Sequence, residues 1–192
     1  MQKIPTLFVR DVTRPQFVTR EVTPGCEWVL AGEGIATRKW DGTNVRATVL
    51  GGKLVLMEKR RNPSREEKAA GAEPGYVQVE PADPGDRWIV AAFDGNDFST
   101  WPDGAWSCEA VGPKIQGGAD GLPASLVAFS LPSFVVAMGY PNGVPRDFDG
   151  LASFLGRAGY EGIVWHHADG RMAKIKARDF GHRWPSRVTV AR

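Results

Sequence analysis

Apolar and polar positions alternate in short bursts along this chain, and Gly and Pro cut the bursts apart. From Asn44 to Leu50, Val45, Ala47 and Val49 alternate with polar partners. Gly51-Gly52 then turns into Lys53 to Arg60, which predicts a β-hairpin. Trp106 to Val111, Leu126 to Leu131 and Phe134 to Met138 read as further strands. Ile163 to His167 and Arg171 to Ile175 read as a last hairpin through Ala168-Asp169-Gly170. Asp147 or Asp149 can cap a helix running to about Ala158, with Leu151, Phe154 and Leu155 on one face. A short helix is predicted around Ser64 to Ala70, followed by a long loop in the Pro-, Gly- and charge-rich stretch 62–86. Strands outnumber helices and pair locally, so the expected class is α+β with mainly antiparallel sheet.

Composition narrows the picture only a little. A chain of 192 residues with 42% hydrophobic content is expected to form one domain spanning 1–192. The net charge of +2 is too small to demand a nucleic-acid partner, so any case for RNA rests on local clusters. Cys26 and Cys108 offer neither a disulfide framework nor a C-x-x-C pair and read as reduced thiols. The N-terminal stretch lacks the apolar core of a signal peptide, and no apolar run nears the ~20 residues that span a bilayer. The expectation is a cytoplasmic protein with no membrane contact and no predicted protein partner.

The candidate chemistry centres on Lys39, two residues before the Asp41-Gly42 turn and between two strand-like segments. A lysine there has little structural use. Beside a nucleotide's α-phosphate its amine can attack phosphorus and carry AMP as a phosphoramidate, with the Asp41-Gly42 turn as positioning device. A free lysine, with a pKa of about 10.4, is a poor nucleophile and needs cationic neighbours or desolvation. Lys174 and Lys176 are the candidate neighbours. Other chemistries lack their signatures. There is no G-x-x-x-x-G-K-[ST] loop, and Gly32-Glu33-Gly34 lacks the third glycine of a dinucleotide fingerprint. His166 and His167 are adjacent, so on a strand they face opposite ways and do not readily share a metal. Trp165 reads first as strand packing, with a wall of a nucleotide pocket as its other use.

Five collinear segments resemble the covalent nucleotidyltransferases, the superfamily of ATP-dependent ligases and mRNA capping enzymes. They are Lys39-Trp40-Asp41-Gly42, Lys59-Arg60-Arg61, Cys108-Glu109-Ala110-Val111-Gly112, Glu161-Gly162-Ile163-Val164-Trp165-His166 and Lys174-Ile175-Lys176. Thr43-Asn44 looks like the ending of the RNA ligase branch, where DNA ligases and capping enzymes usually carry Arg at the Asn44 position. Roughly residues 5 to 185 are similar to the small animal-type 5′-to-3′ RNA ligases, through Pro5-Thr6-Leu7-Phe8-Val9, Arg61-Asn62-Pro63 and Phe180-Gly181-His182-Arg183-Trp184-Pro185. Lys176 departs from those enzymes and matches the wider superfamily better.

The resemblance implies an adenylyltransferase domain of ligases, with antiparallel sheets and flanking helices. It implies ATP and Mg²⁺ (or Mn²⁺) as cofactors, and RNA with 5′-phosphate and 3′-hydroxyl ends as partner. Lys39 is then the nucleophile, and Lys174 and Lys176 face the α-phosphate. Glu161 stands at the metal, Glu109 grips the ribose, and Asn44 serves the pocket and the later steps. Phe129 is the expected adenine stacker, with Phe134 as substitute. Lys59, Arg60 and Arg61 are expected at the RNA 5′-phosphate. Two other readings stay open: GTP-dependent RNA capping, and a catalytically inactive RNA-end or nucleotide binding module. Against capping stand the Thr43-Asn44 ending and the little room for an added OB-fold domain.

Overall fold

A computed structural model describes residues 3–184. In chain order its strands are β1 (Phe8–Arg10), β2 (Val18–Val22), β3 (Ile35–Lys39), β4 (Thr43–Leu50), β5 (Lys53–Arg61), β6 (Gly75–Gln78), β7 (Gly104–Val111), β8 (Ser125–Val127), β9 (Gly162–His166) and β10 (Met172–Lys176). The helices are α1 (Glu27–Leu30), α2 (Arg65–Ala69), α3 (Arg87–Asp94), α4 (Pro132–Ala137) and α5 (Phe148–Ala158). All ladders between these strands are antiparallel, so the chain is α+β as its patterning implied. No helix among the described residues is long and apolar enough to cross a membrane.

The chain divides into two compact units, one formed by Asp41–Phe134 and the other by Lys3–Trp40 with the chain from Val135 on. The first is built on a five-stranded sheet in the order β6-β5-β4-β7-β8. Val45, Ala47 and Val49 of β4 and Cys108 and Ala110 of β7 point to one face, where Phe93 of α3 and Leu126 of β8 complete a core. The two-residue period leaves Asn44, Arg46, Glu58, Ser107 and Glu109 on the opposite face.

The second unit carries the three-stranded sheet β10-β9-β3 and the ribbon β1-β2. Ala36, Ile163, Trp165, Ala173 and Ile175 project from one face into a core closed by Leu151 and Leu155 of α5. Asp147 starts α5 as expected: its side chain accepts the Gly150 N–H at 2.8 Å. Asp149 sits in the first turn and pairs with Arg20 instead.

Several expectations need correction. Phe134 to Met138 is helical, lying in α4 and the turn that follows it, not a strand. Pro132 occupies the first helical position, where its missing N–H removes no bond, and a five-residue apolar run is too short for its period to tell helix from strand. The strand expected over Leu126 to Leu131 ends at Val127, because a turn bonds Leu131 N to the Ala128 carbonyl at 2.9 Å. The 62–86 stretch is not one long loop after its helix. β6 pairs with the end of β5, setting Tyr76 opposite Arg60. α3 was not foreseen, although Ala92 and Phe93 on it are fully buried.

Candidate active site

The second unit gathers four of the expected residues on one face of its small sheet. Antiparallel register places Lys39, Gly162 and Lys176 in one row, and Thr37, Val164 and Lys174 in the next but one. Directly opposed residues share a face, and so do residues two apart on a strand, so Lys39, Lys174 and Lys176 all project from the side opposite the core. Gly162 is required in the middle of the row. A Cβ there would lie 2.1 Å from the Ile175 carbonyl oxygen, far inside contact distance.

Glu161, just before the row, joins the two flanking lysines. Lys39 Nζ donates to its Oε2 at 2.5 Å, and Lys176 Nζ donates to its Oε1. The three side chains are only 17%, 7% and 15% exposed for Lys39, Glu161 and Lys176. Burial raises the Glu161 carboxyl, but the charges of Lys39 and Lys176 outweigh it and hold the group below its ordinary value. Burial, then the charges of Lys176, Lys39 and Lys3, push Lys174 down to about 8. Burial and the charge of Lys39 also lower Lys176, against the opposing pull of Glu161.

Lys39 and Lys176 thus share one carboxylate, and the ammonium of Lys174 is crowded close enough to feel both of their charges. Burying an ion pair is at best weakly stabilising, and extra cations beside it lower stability further. Such a cluster is physically reasonable as a receptor for an anion with more than one charge. His166, on the same face, bonds Thr37 Oγ1 at 3.0 Å, and burial holds it down at about 4. His167 pairs with Glu33 at 2.7 Å, and Trp165 points into the core rather than toward the lysines.

The first unit holds the other expected residues. Asp41-Gly42 precedes β4, and no side chain fits at Gly42, where a Cβ would lie 2.2 Å from the Ala110 carbonyl oxygen. The Asp41 N–H donates to Asp120 at 2.7 Å and the Gly42 N–H to Glu109 at 3.2 Å, so Glu109 braces this bend. Asn44 donates to the Cys108 carbonyl at 3.2 Å and accepts from the Tyr76 hydroxyl at 2.8 Å. Tyr76 therefore fixes the Asn44 amide, a role its place in a presumed loop concealed. Phe129 lies in the turn after β8 and is half-buried, as is Phe134 in α4.

The basic triplet is split by the strand's alternation. Lys59 faces the core side and pairs with buried Asp86, while Arg60 lies on the face of Asn44 and Arg46. Arg61, at the strand end, pairs with Glu67 at 2.6 Å. Arg46, absent from the expected set, forms a bidentate pair with Glu58 at 2.6 Å and lies 4.4 Å over the Tyr76 ring.

For a hard cation, Glu161 supplies the right donor, but among the described residues no group of three or more His, Cys, Asp or Glu side chains is set to hold a metal. One carboxylate suits a Mg²⁺ that takes its other ligands from phosphates and water. Pro185, part of the C-terminal likeness, lies outside the described residues. In comparisons with known proteins, no family model and no curated protein matches this chain.

Proposed function

We propose that this protein is an ATP-dependent RNA ligase that joins RNA 5′-phosphate and 3′-hydroxyl ends through a lysyl-AMP intermediate on Lys39. The observation that carries the reading is the nearly dry cluster of Lys39, Lys174 and Lys176 around the single carboxylate of Glu161. It offers both a nucleophile and an excess of positive charge for a phosphate group.

In the first step Lys39 Nζ forms a bond to the α-phosphorus, and pyrophosphate leaves with the electrons of the broken P–O bond. Nζ sheds one proton before attack and a second as the N–P bond forms, and both end on water. Charge in this transition state spreads over phosphate oxygens, so positioning and electrostatics supply most of the catalysis. Lys174 and Lys176 neutralise the α-phosphate oxygens, and their arrival frees Glu161 from its lysines. Mg²⁺ or Mn²⁺, held by Glu161 and the phosphates, would further lower the charge that the amine must approach. On the resemblance, Glu109 holds the ribose, Phe129 (or Phe134) the adenine, and Asn44 and Asp41 keep the nucleotide and Lys39 aligned. AMP then passes to an RNA 5′-phosphate and is displaced by a 3′-hydroxyl.

The test is mass spectrometry of the purified chain after incubation with ATP and Mg²⁺. One AMP should be added through an acid-labile bond, none to Lys39→Ala, and 5′-phosphorylated RNA should discharge it. GMP taken from GTP with no AMP from ATP would move the assignment to capping. No adduct with either nucleotide would leave a binding module.

A further inference from the structure

A second concentration of positive charge lies in the same unit. Lys3, Arg10 and Arg178, with Gln16, Phe17 and His182, line a cleft of about 550 Å³, inside the range of roughly 300–1,000 Å³ typical of small-ligand sites. Its acidic neighbour Asp179 is buried and already paired with Arg10 at 2.8 Å. His182 gives its Nε2 to the Ala152 carbonyl, so it forms wall rather than grip. Lys3 and Arg178 are exposed.

The backbone sets this cleft in line with the lysine cluster. Pro5 to Leu7 runs along the free edge of β10: Leu7 N donates to the Lys174 carbonyl at 2.7 Å, and Lys174 N to the Pro5 carbonyl at 3.0 Å. Arg178 follows two residues after Lys176. Across the sheet the order is therefore Lys39 on β3, bare Gly162 on β9, the lysine pair on β10, and then Lys3 and Arg178 beyond that edge. The charges of Lys3 and Arg178 are felt at Lys174 and Lys176, behind the larger effect of burial. In phosphoryl transfer the attacking and leaving atoms stand roughly in line across phosphorus. With Lys39 attacking from one side and the α-phosphate over the lysine pair, the leaving oxygen points past β10.

We infer that the Lys3–Arg10–Arg178 cleft binds the β- and γ-phosphates of ATP and so holds the pyrophosphate leaving group of Lys39 adenylylation. The inference rests on the ligase reading. In the forward step the Pα–O bond breaks with its electron pair on pyrophosphate, and cations in the cleft stabilise that charge as it develops. In reverse, pyrophosphate bound there attacks the lysyl-AMP and regenerates ATP.

The experiment compares the full chain with Lys3→Ala, Arg178→Ala and the double variant. Arg10 is left intact because it neutralises buried Asp179. Each protein is adenylylated to completion and freed of nucleotide. Discharge of AMP is then followed against added pyrophosphate and, separately, against 5′-phosphorylated RNA. The double variant should need about tenfold more pyrophosphate for half-maximal discharge, the loss expected for charge-assisted contacts. Its transfer to RNA should match wild type, and its melting temperature should be unchanged. Unaltered pyrophosphate dependence would overturn the inference and leave the ligase reading standing, and slowed transfer to RNA alone would put RNA phosphates in the cleft instead. A wild-type chain that forms no adduct would overturn the ligase reading, and this inference with it.

Discussion

The two sheets treat charge in opposite ways. On the five-stranded sheet, cations are settled one by one: Arg46 with Glu58, Lys59 with Asp86, Arg61 with Glu67. On the three-stranded sheet, Glu161 is the one carboxylate among the described residues that pairs with Lys39 and Lys176, Lys174 lies beside them, and Lys174 and Lys176 are held below their ordinary values. Each of the first three pairs is complete without a ligand. The second arrangement is electrostatically unfinished, which is why the ligase reading rests on it. Abundance of basic residues was the poorer guide, since the Lys59-Arg60-Arg61 triplet is the denser run in sequence yet two of its members are already engaged.

The sharpest way to break this contrast is to neutralise one acid in each sheet. Glu161→Gln should reduce AMP adduct formation by more than about 100-fold while ATP binding remains measurable. It should also destabilise the fold by roughly 3 kcal/mol, the order expected when buried cations lose their counter-charge. Added pyrophosphate should stabilise this variant more than it stabilises wild type. Because the folded Glu161 carboxyl lies below its ordinary 4.5, its contribution is fully present above that pH and is lost as pH falls through the lower folded value. Glu58→Gln should cost about 1–2 kcal/mol, less than Glu161→Gln because its partner Arg46 is partly exposed, and pyrophosphate should stabilise it no more than it stabilises wild type. Denaturant titrations with and without pyrophosphate check both, and equal stabilisation of the two variants would erase the distinction.

A second comparison concerns Arg60 and Arg61. Their replacement by Ala should leave Lys39 adenylylation within about twofold of wild type but slow single-turnover transfer to 5′-phosphorylated RNA by about 30-fold. That transfer should weaken steeply with salt. Arg61 gives up only an exposed pair with Glu67, which a phosphate can replace at little cost. Transfer at the wild-type rate would remove the pair from RNA binding.

Glu109→Gln should weaken ATP binding by about tenfold with no change in metal dependence, in contrast to Glu161→Gln. Calorimetric titration with and without Mg²⁺ distinguishes them, and identical metal dependence would show the two roles misassigned.

The smallest effect concerns Lys174. Its folded pKa near 8 lies below its ordinary 10.5, so the unfolded chain binds more protons between those values and stability should rise with pH across that window. Lys174→Met should flatten the rise and add about 1–2 kcal/mol at pH 7, with weaker ATP binding. A flat wild-type profile would mean the cluster is less strained than its geometry implies.

Legibility followed local signals. The hairpin of β4 and β5 was announced by alternation and Gly51-Gly52, α5 by Asp147, and β9 with β10 by Ala168-Asp169-Gly170. α4 was misread because Phe134 to Met138 is apolar throughout and carries no period. β6 was missed because Gly75-Tyr76-Val77-Gln78 is short and edge-lying, and only its pairing with β5 makes it a strand. In the site, the closeness of Lys39, Glu161 and Lys176 was expressible from the resemblance. Tyr76 behind Asn44, and Lys3 beside Lys174, depend on pairings between distant segments that carry no local mark.

Gly162 gives the cluster an abrupt failure mode. A methyl group there meets the Ile175 carbonyl at 2.1 Å, so β9 and β10 could not keep their spacing, and the partition between Lys39 and Lys176 would widen with them. Most surface positions wear down a protein gradually under mutation, but this one is a fuse. In a library of random variants, substitutions at Gly162 should fall with the inactive class even when every charged residue survives. A single uncharged position would then trace the outline of the lysine cluster as clearly as the lysines themselves do.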